Sequence, residues 1–164
     1  MAVAGALAYT EDDEELSSSL GGLQAPLGEN NAASTGVRIL LVEDDFADTQ
    51  LIQRALYRHP QVSDVVARNS PSQTLVELSS GKIRPALIFL DIRMPGINGF
   101  QFLEEMRKIS IMDQTPVVFL TSSVLGGDAA RAMQSSARDY IIKPDTFEEL
   151  ESKLDVAIRR VGPV

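Results

Sequence analysis

The sequence predicts an α/β fold with helices on both faces of a parallel sheet, and three observations carry that expectation. Short β-branched or apolar runs alternate with capped, amphipathic helical stretches five times along the chain. Two of the runs, Val37–Val42 and Ala86–Leu90, are almost continuously apolar, as strands buried on both faces are. Both end abruptly in carboxylates, Glu43-Asp44-Asp45 and Asp91, and such sheets bind ligands just beyond the carboxyl ends of their strands.

The elements follow in order. Residues 1–36 carry six acids and no Lys or Arg, then Ser17–Ser19, Gly21-Gly22, Pro26 and Gly28, a composition that cannot repay its own ordering entropy. Leu16, Leu20, Leu23 and Leu27 recur at helical spacing, so two readings stand: a disordered acidic extension, or an amphipathic segment that docks on its own domain or a second subunit. The domain itself is expected over 37–161. Its strands are Val37–Val42, Val65–Ala67, Ala86–Leu90, Pro116–Leu120 and Tyr140–Ile142. Phe46–Arg58 places Leu51, Ile52, Ala55 and Leu56 on one helical face. Ser70 and Pro71 open the second helix and Gly81 stops it. Gly99–Ile109 groups Phe102, Leu103 and Met106; Asp128 caps a stretch to Ser136; Thr146 with Glu149 forms a capping box for a helix to about Arg160.

Composition excludes several classes. The 164 residues hold 15 Lys plus Arg against 23 Asp plus Glu, one His and no Cys, for a net charge of −8. Without Cys there is no disulfide framework or thiolate metal site, and a reducing compartment fits. The apolar runs fall far short of the ~20 residues of a membrane span. Met1–Ala8 lacks the basic start of a secretory signal, so a soluble, cytoplasmic protein is expected, with no membrane partner. Most of the net charge belongs to residues 1–36. The nearly neutral remainder has no basic stripe for direct contact with nucleic acid.

Strand one followed by acids, strand three by Asp91, strand four by Thr121 and strand five by Lys143 would gather carboxylates, a hydroxyl and an ammonium on one rim. Acids that converge beside one Lys raise a pKa or recruit a cation. Carboxylate oxygens without Cys favour a hard ion such as Mg²⁺. An Asp beside Mg²⁺ and Lys can attack a phosphoryl group, with a hydroxyl and cations bonding its oxygens. Residue chemistry alone leaves open which Asp is attacked.

Four segments, Ile39–Asp45 (ILLVEDD), Leu87–Phe100 (LIFLDIRMPGINGF), Val117–Ser122 (VVFLTS) and Ala137–Pro144 (ARDYIIKP), resemble the receiver domain of two-component response regulators in order and spacing. The resemblance runs from about Val37 to Val161. It implies a flavodoxin-like, doubly wound five-stranded sheet of order 2-1-3-4-5 with five helices. It implies that Asp91 accepts a phosphoryl group from a histidine kinase or phosphotransfer protein. Asp44 would contact Mg²⁺ directly, Glu43 through water, and Asp91 and the backbone carbonyl of Arg93 would complete the protein's ligands. Thr121 would be the switch hydroxyl, Tyr140 the switch aromatic and Lys143 the cation on the phosphate. Lys143-Pro144 matches a position where the family uses a cis peptide. The resemblance further implies Mg²⁺-dependent self-phosphorylation and autodephosphorylation rather than turnover catalysis. The reshaped surface would be helix four, strand five and helix five, about Asp128–Arg160.

Other readings remain beside it. Asp45 reads as a helix-entry charge, Asp48 either as a first-turn charge or as an acidic position found in phytochrome-associated regulators, and His59 as a helix C-terminal group. Ser136 replaces the family's usual Gly, so either the helix ends there in the left-handed conformation at a cost of roughly 1 kcal/mol or the loop ends differently. Arg93 and Ser123 stand at positions that, by the resemblance, flank the path of hydrolytic water, so Arg93 is expected to modulate phosphoryl lifetime. With four residues after Arg160, the expected output is protein–protein: relay of phosphate, docking on a downstream target, or homodimerisation, with a phytochrome kinase as one candidate partner. A haloacid-dehalogenase-like phosphatase would need a second Asp where Arg93 stands. A phosphate-independent interaction module is the third alternative.

Overall fold

The computed structural model describes residues 36–122 and 126–161; the expectations for residues 1–35 and for Ser123 lie outside the described residues. The elements are β1 (Val37–Val42), α1 (Phe46–Tyr57), β2 (Val62–Arg68), α2 (Pro71–Ser79), β3 (Leu87–Asp91), α3 (Gly99–Arg107), a 3₁₀ turn (Ser110–Met112), β4 (Val117–Thr121), α4 (Gly126–Gln134), β5 (Asp139–Ile142) and α5 (Phe147–Val161). The strands pair in parallel in the order β2-β1-β3-β4-β5, as expected. From β1 the chain steps to β2 on one side and crosses to β3 on the other. The ends of β1 and β3 therefore open a crevice at the switch point.

Alternation along the strands builds two apolar layers. Ile39, Leu41, Phe89 and Leu120 pack against Ile52 and Leu56 of α1 and Leu150, Leu154 and Ile158 of α5. Leu40, Val42, Leu90 and Phe119 pack against Leu78 of α2, Phe102, Leu103 and Met106 of α3 and Ala132 of α4. Each fully buried side chain of this kind contributes about 1.5–3 kcal/mol. The edge strand β2 is longer than its apolar stretch suggests, because Val62 and Asp64 extend its pairing with β1, with Ser63 at an irregularity between them.

Helix ends follow local chemistry. Asp45 caps α1, its Oδ1 accepting from the Asp48 N–H at 2.8 Å. Ser70 caps α2 ahead of Pro71, and Gly81, at φ +72°, follows the C-cap Ser80. Asn98 and Gln101 form a reciprocal capping box on α3, a signal missed in the sequence. The Thr146 hydroxyl accepts from the Glu149 N–H at 3.3 Å, while the Glu149 carboxylate pairs with Lys153.

Three expectations need correction, and one open alternative is decided. Leu51 is 41% exposed: the buried face of α1 is the narrower set Ile52, Ala55 and Leu56. Asp128 does not cap α4, which starts at Gly126; it lies in the first turn, where Arg93 engages it. Ser136 needs no left-handed turn, since no non-glycine among the described residues has positive φ. Arg107 holds this segment instead, donating to Ser136 Oγ at 3.0 Å and Ser136 O at 3.2 Å, and to the carbonyls of Met112, Asp113 and Thr115. Finally, there is no cis peptide among the described residues, so Lys143-Pro144 is trans and Lys143 is aimed by its ion pairs.

Candidate functional site

The rim forms because four neighbouring strands stop in register. Glu43 follows β1, its N–H donating to Arg68 O at 3.0 Å at the end of β2. Asp91 is the last residue of β3 and Thr121 of β4, only 4% and 0% exposed. Thr121 lies opposite Ile142 of β5, and the Lys143 N–H donates to Thr121 O at 2.8 Å, pinning the start of the loop that carries the ammonium. Gly99 lets α3 fold back against the end of β3. A Cβ there would lie 2.4 Å from Asp91 O, and the Gly99 N–H donates to Ile92 O at 3.0 Å.

The structure brings the expected charged groups together. Oxygens of Glu43, Asp44 and Asp91 all lie within 4.8 Å of one another. Lys143 Nζ is 2.6 Å from Glu43 Oε2 and 3.8 Å from Asp91 Oδ1. It also sits 2.6 Å from Asp48 Oδ2, so Asp48 joins the rim. Its place in the first turn of α1, facing a Lys 95 residues later, is a tertiary fact that sequence spacing does not reveal.

Burial pushes the Asp91 carboxyl up to about 6, with Glu43 and Asp44 adding to the rise and Lys143 and the Arg93 N–H opposing it. Burial likewise raises Glu43, against the hydrogen bond and charge of Lys143. Burial acts to lower Lys143, but the carboxylates of Asp48, Glu43 and Asp91 outweigh it and hold the ammonium above its ordinary value. Two buried carboxylates with raised pKa values, clustered with a third that is exposed, are short of positive charge. That donor set fits a hard divalent cation held through oxygen.

Tyr140 is half-buried against the α3–α4 layer, and its phenol is raised chiefly by burial and then by Asp128, with Arg93 opposing. The Arg93 side chain reaches Asp128 Oδ2 on α4, at 2.7 Å from Nη2 and 3.2 Å from Nε. Arg131, one turn further along α4, lies over the Phe100 ring at 4.2 Å. His59 is buried elsewhere, between α1 and α5, its Nδ1 accepting from the Gln61 N–H. Its Nε2 is 3.1 Å from Asp155 Oδ1 without the alignment of a hydrogen bond. Among the described residues no helix is long and apolar enough to cross a membrane.

A parallel α/β sheet whose switch-point crevice gathers four acids, a hydroxyl and a lysine has the donor set to hold a cation and a phosphoryl group together. Comparison with known proteins makes this specific: the response regulator receiver domain family matches residues 39–155, and the chain belongs to that family. Such receivers are phosphoacceptors, generally not turnover enzymes, which sets the phosphatase alternative aside. The transcriptional regulatory protein TrcR of Mycobacterium tuberculosis is 32% identical over 141 residues, covering 84% of this chain and 52% of TrcR. The chain thus spans about half the length of the curated relatives it matches. Among solved structures, the phosphorylated cyanobacterial phytochrome response regulator RcpA is similar at 27% identity and TM-score 0.69, covering 77% of this chain and 94% of RcpA. The Mn²⁺-bound form of response regulator Rcp1 is similar at 25% identity and TM-score 0.68, covering 78% and 96%.

Proposed function

We propose that residues 37–161 form the working unit of a phosphorelay receiver in the cytoplasm, that residues 1–36 form an acidic extension to it, and that Asp91 takes a phosphoryl group from a histidine kinase or phosphotransfer protein. The observation that carries this reading is the placement of a buried Asp91 carboxylate 3.8 Å from Lys143 Nζ within the Glu43–Asp44 cluster. An Asp91 oxygen attacks the phosphorus of the donor's phosphohistidine. A P–O bond forms as the P–N bond breaks, and the bonding pair returns to the imidazole nitrogen. Glu43, Asp44, Asp91 and the Arg93 carbonyl would hold Mg²⁺. When bound, it supplies positive charge to the acceptor and to the phosphoryl oxygens. Lys143 pairs with one phosphoryl oxygen and the Thr121 hydroxyl bonds another.

Tyr140 follows Thr121 and changes the α4–β5–α5 face, from which the output is read. That face supports the reading: Met133, Ile142 and Val156 are 87%, 38% and 49% exposed, and an apolar groove runs between β5 and α5 beside Tyr140 and Lys153. A downstream protein or a second copy of the chain binds there. The similarity to RcpA, a phytochrome response regulator by its description, favours a phytochrome kinase as donor.

The test is incubation with acetyl phosphate and Mg²⁺, followed by intact mass and peptide mapping. One phosphoryl group is expected per chain, on Asp91 and absent from Asp91→Asn. Undiminished labelling of Asp91→Asn, or sustained hydrolysis of p-nitrophenyl phosphate, overturns the assignment.

A further inference from the structure

Lys143 has three N–H donors, and two point at carboxylates 2.6 Å away on Glu43 and Asp48, while Asp91 at 3.8 Å lies beyond hydrogen-bond reach. The two partners are not equivalent. Glu43 also offers an oxygen to the Asp44–Asp91 cluster suited to a cation, so its carboxylate is shared between that cluster and the ammonium. Asp48 stands outside the cluster, on the first turn of α1, where its own N–H is fixed by Asp45 Oδ1. The helix N-terminus already has Asp45 as its cap, so the Asp48 carboxylate is available to Lys143 across the crevice.

We propose that Asp48 is a positioning residue: it tethers Lys143 away from Asp91 in the unphosphorylated protein and competes with the incoming phosphoryl oxygens for the ammonium. The inference rests on the reading of Asp91 as the acceptor. Phosphorylation adds about two negative charges beside Lys143. Recruiting the ammonium to them means breaking a charge-assisted bond to a carboxylate that is still one-third exposed. Such a bond weakens anion binding by a modest factor, about three- to fivefold.

Beryllofluoride, a phosphoryl mimic, is titrated into the full chain at saturating Mg²⁺ and followed by amide NMR. Asp48→Asn is expected to bind about three- to fivefold more tightly than the wild type. Asp45→Asn removes one negative charge from the same turn without touching Lys143, and is expected to bind like the wild type. Asp48→Glu restores a carboxylate and returns the affinity toward the wild-type value. In a Lys143→Ala background, Asp48→Asn changes nothing. In metal-free protein, the Lys143 side-chain ammonium is protected from exchange equally in the wild type and in Asp45→Asn, and exchanges faster in Asp48→Asn, where only Glu43 still holds it. Equal or weaker binding by Asp48→Asn, or equal tightening by Asp45→Asn, overturns the tether while leaving the acceptor assignment intact. A wild type that neither binds beryllofluoride nor labels on Asp91 overturns both.

Discussion

Substituting Asp91 by Asn gives the sharpest reading of the physical state of the rim, because it removes the charge and keeps the shape. The folded carboxyl is raised from 3.8 to about 6, chiefly by burial. At 1.36 kcal/mol per pKa unit, ionising it in the fold costs about 3 kcal/mol more than in the unfolded chain. The sign follows from proton counting. Between 3.8 and about 6 the folded state binds more protons than the unfolded, so stability contributed by this group falls as pH rises through that window and levels off above it. Asp91→Asn should therefore be more stable than the metal-free wild type, by about 3 kcal/mol near pH 8 and about half that near pH 5. Glu43 remains in both proteins, and its repulsion of Asp91 is one part of the cost that the variant removes. The assay is urea unfolding at both pH values with chelator present, then with Mg²⁺. Binding to the folded state alone adds about 2.7 kcal/mol at a hundredfold excess over Kd, a gain largely confined to the wild type. A variant advantage that is absent, or identical at the two pH values, refutes the argument that Asp91 is held ionised against its burial.

Two further substitutions test how neighbouring elements serve the rim. Arg93→Ala removes an ion pair that is 57% exposed on the arginine side, so stability should change by less than about 1 kcal/mol. The expected effect is on the phosphoprotein, with a dephosphorylation rate about two- to fivefold faster; an unchanged rate rules out a role for Arg93 in phosphoryl lifetime. Gly99→Ala drives a Cβ to 2.4 Å from Asp91 O, and a crowded backbone cannot yield cheaply. A loss of about 1–3 kcal/mol in urea melts and slower labelling of Asp91 are expected; wild-type values for both would show that the close approach is dispensable.

What the sequence revealed and what it hid follow from the range of the interactions. β1, β3 and β4 were legible because strands buried on both faces leave unbroken apolar runs, and each run ended where a chemically conspicuous residue began: Glu43, Asp91, Thr121. Leu51 was misplaced because helical periodicity states which residues share a face, not how wide a face the sheet covers. Asp128 looked like a cap because acids favour helix starts, but α4 begins two residues earlier, and its carboxylate meets an arginine 35 residues upstream. Local sequence leaves two endings open at Ser136, and Arg107, 29 residues away, decides between them by holding its hydroxyl and carbonyl. Asp48 carried an ambiguous local signal for the same reason. In each case the deciding contact is made across the fold by a long side chain, whose reach no local pattern encodes.

The same reach explains why this rim is suited to signalling and not merely to stability. Glu43 and Asp91 are buried with raised pKa values, so the fold holds negative charge that it does not fully neutralise. A proton, a divalent cation or a rearranged lysine relieves that charge in different ways, and each leaves a different set of partners for Lys143. Arg93 and Asp128 extend the arrangement to α4, whose field is felt at the Tyr140 phenol. Under the proposed function, a change of charge at Asp91 would reach the α4–β5–α5 face through such ion pairs, each worth about 1 kcal/mol or less where solvent-exposed. States separated by so little can be repopulated by one covalent phosphate, whereas an apolar core of similar extent would hold a single arrangement.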